Sequence, residues 1–141
     1  MSLIYWDTML FAYLLEGHQE FAPRVAQIAR RMEERGDTLC TSVFAVGEIL
    51  AGPSRTKRWD EVSKIREFFR SEDLRLLDFK ISTAEIFAEI RGRDNVAAAE
   101  AIHLACAAEA RVDLFLTHDK RLANRIVPGI QFLATLETSI L

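Results

Sequence analysis

Short apolar runs alternate along the chain with segments whose apolar residues recur every three or four positions. Bounded apolar runs are typical of buried strands, and three- and four-residue spacing is typical of amphipathic helices. The pattern predicts strands at 3–6, 38–41, 74–78, 112–117 and 130–133. It predicts helices at 9–15, 21–35, 43–50, 54–69, 82–90, 96–110 and 120–124, with Gly36 ending the second, Gly52 and Pro53 ending the third, and Ser54 capping the fourth.

Strands that are separated by helices usually pair in parallel, because the crossover through a helix returns the chain in the same direction. The predicted fold class is therefore α/β, with a mostly parallel central sheet of about four to five strands and helices on both faces. Residues 1–141 are predicted to form one domain, because the length suits one core and only 6 Gly and 3 Pro leave no evident linker.

Composition and charge exclude several classes of protein. The N-terminal apolar run is short and is interrupted by Asp7, and no basic region precedes it, so neither a signal peptide nor a membrane span is predicted. A formal charge of −3 argues against nucleic-acid binding through bulk positive charge and leaves only local basic patches for that role. Cys40 and Cys106 lie in apolar contexts, which predicts buried free thiols and fits a reducing cytoplasm.

Two aspartates follow predicted strands. Asp7 comes directly after the first apolar run, and Asp119 follows the strand at 112–117 after His118. The C-terminal ends of parallel strands are where open α/β sheets bind their ligands. The alternative is that each aspartate caps the helix that follows it, and for either one alone this is the simpler interpretation.

Two glutamates lie on largely apolar helices and have no Lys or Arg at neighbouring helical positions. These are Glu48, on the helix at 43–50, and Glu100, on the alanine-rich helix at 96–110. A buried carboxylate is costly unless it is paired, hydrogen-bonded or bound to a metal. The alternatives are a surface position for Glu48, and a bond to His103 or to a backbone group for Glu100.

If both helices meet the same edge of the sheet, the carboxylates of Asp7, Glu48, Glu100 and Asp119 converge. An oxygen-rich pocket of this kind suits Mg²⁺ or Mn²⁺. Thr8 and Thr117 are candidates to orient a carboxylate or a bound water, the alternatives being a helix start and a strand end. An all-oxygen site needs no histidine, so His103 is interpreted as a packed side chain and His118 is given no catalytic role.

Four segments in this order and spacing resemble a known family. They are Asp7-Thr8 after the first strand, 42–52, 99–105 and 116–119. Together they are similar to the PIN-domain family of metal-dependent ribonucleases, in particular the VapC-like toxins of toxin–antitoxin pairs, over nearly the whole chain. The resemblance implies a three-layer α/β/α sandwich in which Asp7, Glu48, Glu100 and Asp119 bind one or two Mg²⁺ or Mn²⁺ ions and support hydrolysis of RNA. Glu100 departs from the family pattern, which most often has Asp there.

The resemblance also implies partners: an RNA substrate, an antitoxin that covers the active-site groove, and a homodimer or a higher toxin–antitoxin assembly. Basic residues beside the proposed site are candidates for RNA-phosphate contacts, the alternative being solvated helix faces: Arg55, Lys57, Arg58, Lys120, Arg121 and Arg125.

One alternative function is a PIN-like RNA- or protein-binding module with weakened or lost catalysis, marked by Glu100. Another is an unrelated doubly wound protein whose acids do not converge.

Overall fold

Five parallel strands form the central sheet of the computed structural model, which describes residues 1–138 and 141. The elements in chain order are β1 (Leu3–Trp6), α1 (Thr8–Glu16), α2 (Ala22–Arg35), β2 (Thr38–Ser42), α3 (Val43–Arg55), α4 (Trp59–Phe69), β3 (Leu74–Leu77), α5 (Ile81–Arg93), α6 (Ala98–Glu109), β4 (Leu114–Thr117), α7 (Lys120–Ala123) and β5 (Phe132–Thr135). The strand order is β3-β2-β1-β4-β5, which confirms the predicted α/β class. Residues 139 and 140 of the predicted domain lie outside the described residues.

Two hydrophobic clusters lie on opposite faces of the sheet, because side chains alternate along each strand. Tyr5 and Phe115 face one cluster, which α5 and α6 complete. Ile4 and Trp6 face the other, which α1, α2 and α4 complete. The prediction of helices on both faces, and so of three layers, is confirmed.

The structure corrects the predicted end of the third helix. Gly52 and Pro53 do not end α3, which continues to Arg55. Proline has a backbone φ that suits a helix, and in the last turn its missing N–H removes only one bond of the ladder. Ser54 therefore lies inside α3 and caps nothing, and α4 begins at Trp59 without a side-chain cap.

The last strand lies two residues later than predicted, at Phe132–Thr135 and not at 130–133. Ile130 donates its backbone N–H to the carbonyl of Val127, so the residues around Gly129 form a turn and not the start of the strand. A shift of two residues leaves the same side chains on the same face of the sheet. The remaining helix ends agree with the predicted ones or differ from them by up to three residues, as ends commonly do.

Both cysteines are buried free thiols, as predicted. Burial raises the pKa of Cys40 to about 12 and that of Cys106 to about 11, so neither is a thiolate at neutral pH. Among the helices of the described residues, none is long and apolar enough to span a membrane.

Candidate functional site

The site lies at the C-terminal ends of β1 and β4, the central strand and its neighbour. Trp6 is paired with Leu116, so the residues that follow them, Asp7 and Thr117, stand side by side. The backbone N–H of Asp7 bonds to Leu116 O at 3.0 Å and extends this pairing by one residue. The prediction that β1 delivers Asp7 to the edge of the sheet is confirmed.

Two hydrogen bonds hold the Asp7 carboxylate. Its Oδ1 accepts the N–H of Thr8 at 2.7 Å, which makes Asp7 the N-cap of α1, and its Oδ2 accepts the hydroxyl of Thr117 at 2.9 Å. Thr117 is fully buried and Asp7 keeps 17% of its side chain exposed. Asp7 therefore caps a helix and still presents its carboxylate at the surface of the site.

Glu48 reaches the same place from α3. Its Oε1 accepts the hydroxyl of Thr8 at 2.6 Å and lies 2.7 Å from Nε2 of His103. Burial raises the pKa of Glu48, but the hydrogen bonds from His103 and Thr8 outweigh it, and the net pKa lies below the ordinary value. Glu48 has no helical partner, as the sequence indicated, but it is hydrogen-bonded by residues of two other helices.

His103 is a member of this site that the sequence interpretation did not assign to it. It is packed as predicted, with 4% exposure on α6, but its partner is Glu48 and not Glu100. Its Nε2 also lies 3.6 Å from Asp7 Oδ1, so one imidazole stands between the two carboxylates. The sequence contained one indication of this role: His103 is a polar residue on an apolar helix, and a buried polar group requires hydrogen-bond partners.

Asp119 and Glu100 form a second pair of acids, joined by Arg121. The Asp119 carboxylate accepts bonds from Arg121 Nε at 3.2 Å and Nη2 at 3.0 Å, and it caps α7 by accepting the N–H of Arg121 at 2.9 Å. Glu100 Oε1 lies 3.8 Å from Arg121 Nη2, and its Oε2 accepts the N–H of Ala97 at 3.4 Å. The hydrogen bond to Arg121 holds the pKa of Asp119 below its ordinary value.

Thr117 connects the two pairs. Its hydroxyl donates to Asp7 and accepts the N–H of Asp119 at 3.0 Å. The structure thus brings the carboxylates of Asp7, Glu48, Asp119 and Glu100 into one polar network that runs through Thr8, His103, Thr117 and Arg121.

The other basic candidates differ in how far they are engaged within the protein. Arg58 pairs with Glu61 at 2.9 Å, and Lys120 pairs with Glu137 at 3.3 Å. Arg125 donates to the carbonyl of Asn95 at 3.0 Å. Arg55 and Lys57 are exposed at the end of α3.

A family model matches most of the chain. The family model described as "PIN domain" matches residues 4–126. The chain therefore belongs to the PIN-domain family. No curated protein matched the sequence.

Solved structures share the fold at low identity. VapBC2 from Rickettsia felis, bound to a DNA fragment from its promoter, has a TM-score of 0.75 and 15% identity over 94% of this chain and 98% of that one. DNA-bound VapBC from Salmonella typhimurium has a TM-score of 0.73 and 18% identity over 96% and 99%. VapC20 from Mycobacterium tuberculosis, a toxin that cleaves the sarcin–ricin loop, has a TM-score of 0.68 and 16% identity over 87% and 96%.

Proposed function

We propose that this protein is a divalent-metal-dependent endoribonuclease that hydrolyses phosphodiester bonds of RNA. The observation that carries the proposal is the network of Asp7, Glu48, Asp119 and Glu100 at the C-terminal edge of a PIN-domain sheet. Carboxylates at the ligand-binding edge of a parallel sheet are suited to hold divalent cations.

The chemistry of the four carboxylates fits Mg²⁺ or Mn²⁺, which prefer oxygen ligands. As the side chains stand, no group of three or more His, Cys, Asp or Glu residues within 1–138 and 141 is arranged to hold a metal ion. The acids form two pairs, each occupied by a nitrogen group of the protein, His103 or Arg121. Arg121 is 81% exposed, and exposed ion pairs are weak, so a cation that approaches Asp119 displaces it at little cost.

The protein's own residues have distinct roles in this proposal. Asp7, Glu48, Glu100 and Asp119 would hold the metal, which lowers the pKa of a water and neutralises charge on the phosphate. Thr8 and Thr117 hold the carboxylates of Glu48 and Asp7 in place through hydrogen bonds from their hydroxyl groups. The candidates for contacts with RNA phosphates are Arg55, Lys57, Arg58, Lys120 and Arg121, the last of these after it leaves Asp119.

We further propose that the protein is the toxin of a toxin–antitoxin pair, acting in the cytoplasm as a homodimer or in a larger assembly with an antitoxin protein. The fold likeness to VapC proteins solved as VapBC complexes supports this proposal, over 94% and 96% of the chain. We also propose that residues 1–141 form one domain.

The decisive experiment compares Asp7→Asn with Asp73→Asn, an exposed aspartate in the turn before β3. Cleavage of a fluorescent RNA oligonucleotide in Mn²⁺ should fall by about 100-fold or more in Asp7→Asn, because loss of a ligand costs at least as much as loss of its support. Asp73→Asn should match the wild type. Equal cleavage by Asp7→Asn would contradict the mechanism. A wild-type protein that binds RNA without cutting it would instead favour the non-catalytic binding module.

A further inference from the structure

The buried imidazole of His103 connects Glu48 to a residue inside the sheet. Its Nε2 lies 2.7 Å from Glu48 Oε1, and its Nδ1 lies 2.7 Å from the hydroxyl oxygen of Tyr5 on β1. His103 is 4% exposed and Tyr5 is fully buried. Neither residue therefore faces a substrate, and both are available only to other protein groups.

The protons available to each group decide which atom donates in the hydrogen bond between Tyr5 and His103. An ionised carboxylate only accepts, so the Nε2 that bonds to Glu48 carries the proton. In a neutral imidazole Nδ1 is then an acceptor, and the Tyr5 hydroxyl 2.7 Å away is its donor. The Tyr5 hydroxyl also lies 3.0 Å from Ser42 Oγ. The protons of Tyr5 and His103 then both point toward Glu48.

Tyr5 and Ser42 are both held in place by neighbouring elements of the fold. The Tyr5 ring stacks on Phe115 of β4, with centroids 4.9 Å apart and an interplanar angle of 7°. Ser42 accepts the N–H of Ala45 at 3.1 Å and so caps α3, the helix that carries Glu48. His103 thus connects the Glu48 carboxylate to the sheet through Tyr5, by a route that does not pass along α3.

The bonds to Glu48 converge on one of its oxygens. His103 and Thr8 both bond to Oε1, and within the described part of the chain Oε2 makes no hydrogen bond. A glutamate side chain has several rotatable bonds, and holding it in one arrangement costs conformational entropy. Because two donors already hold Oε1, less conformational entropy is lost when a cation binds. Oε2 is left for that ligand.

We propose that His103, held by Tyr5, is a positioning residue that presents the Glu48 carboxylate to a divalent cation. This inference rests on the proposed function, because it concerns the same acidic site. The competing explanation is that His103 merely fills space beneath Glu48. These two explanations differ in what the Tyr5 hydroxyl does: it is needed for positioning and dispensable for packing.

The first test compares the chain's 2 tyrosines, whose hydroxyls each contact a histidine Nδ1. Tyr5→Phe keeps the stacked ring and removes the hydroxyl, with its contacts to His103 and Ser42. Tyr13→Phe makes the same chemical change at His118. Calorimetry with Mn²⁺ should show binding about 10-fold weaker in Tyr5→Phe, as for loss of a group that supports a metal ligand, and unchanged in Tyr13→Phe. Equal affinities in the two variants would overturn the positioning role.

The second test asks whether a hydrogen-bond donor at position 103 is sufficient. His103→Leu fills space without a donor, and His103→Gln restores an amide N–H. The Leu variant should lose about 10-fold or more in Mn²⁺ affinity and in kcat with little change in KM for RNA, and the Gln variant should recover most of both. Equal losses in Leu and Gln would overturn the inference. If His103→Leu does not fold, as judged by circular dichroism in a chelator, the tyrosine pair decides.

Wild-type protein and Asp7→Asn, measured alongside, separate this inference from the proposed function. A wild type that neither binds Mn²⁺ nor cuts RNA would overturn both. A wild type that does both, with Tyr5→Phe equal to Tyr13→Phe, would overturn only the positioning role of His103.

Discussion

The guanidinium of Arg121 lies across the carboxylate of Asp119, with Nε 3.2 Å from Oδ1 and Nη2 3.0 Å from Oδ2. The same Nη2 is 3.8 Å from Glu100. The residue predicted to contact RNA phosphates is thus, in this structure, paired with two of the proposed metal-binding acids. A divalent cation and Arg121 would compete for the same oxygens.

Arg121→Ala is therefore expected to bind Mn²⁺ more tightly than the wild type. Exposed ion pairs are worth about 0.2–1 kcal/mol, so the gain in affinity should be about 1.4- to fivefold in calorimetry. Arg31→Ala is a matched control, because Arg31 pairs with Glu34 at 3.3 Å on the distant helix α2. Weaker Mn²⁺ binding by Arg121→Ala would show that Arg121 does not compete with the metal.

The pKa of Glu48 leads us to predict that the free energy of unfolding depends on pH. Its folded pKa lies below the ordinary value of 4.5, so the ionised form stabilises the fold. This contribution is fully present above the unfolded pKa and is lost as the pH falls through the folded pKa. At neutral pH the free energy of unfolding should be higher for the wild type than for Glu48→Gln, as measured by urea unfolding with a chelator present. This difference should shrink below pH about 4. A difference that grows in acid would contradict the assignment.

Gly129 predicts a large effect on stability from one methyl group. Its φ is +97°, and a Cβ there would lie 2.6 Å from the carbonyl oxygen of Ala108, a backbone atom of α6. Gly129→Ala is expected to lower the free energy of unfolding by about 1–3 kcal/mol from conformational strain, before the clash is added.

Gly92→Ala is the control for this substitution. Gly92 lies inside α5, and a Cβ there would meet nothing within 4 Å. Alanine favours a helix, so this variant should gain about 0.5 kcal/mol or more in thermal or urea unfolding. Two variants of equal stability would contradict the close approach of Gly129 to α6.

Local pattern was sufficient for most of the fold. Apolar runs and helical spacing predicted the five strands and the alternation of strands and helices, because these features depend on neighbours in sequence. The errors also have local causes. Pro53 indicated a helix end, but proline in a last turn costs only one hydrogen bond, and α3 continues to Arg55.

The sequence by itself indicated that Asp7 and Asp119 follow strands and are candidates to cap helices, because a strand end and a cap are defined within a few residues. Only the tertiary structure decided their companions. The partners of the site are distant in sequence: Thr117 is 110 residues from Asp7, and His103 is 55 residues from Glu48 and 98 from Tyr5. Such contacts depend on how α3 and α6 pack beside β1, and periodicity carries no information about that packing. The contacts of His103 with Glu48 and Tyr5 are therefore visible only in the folded protein.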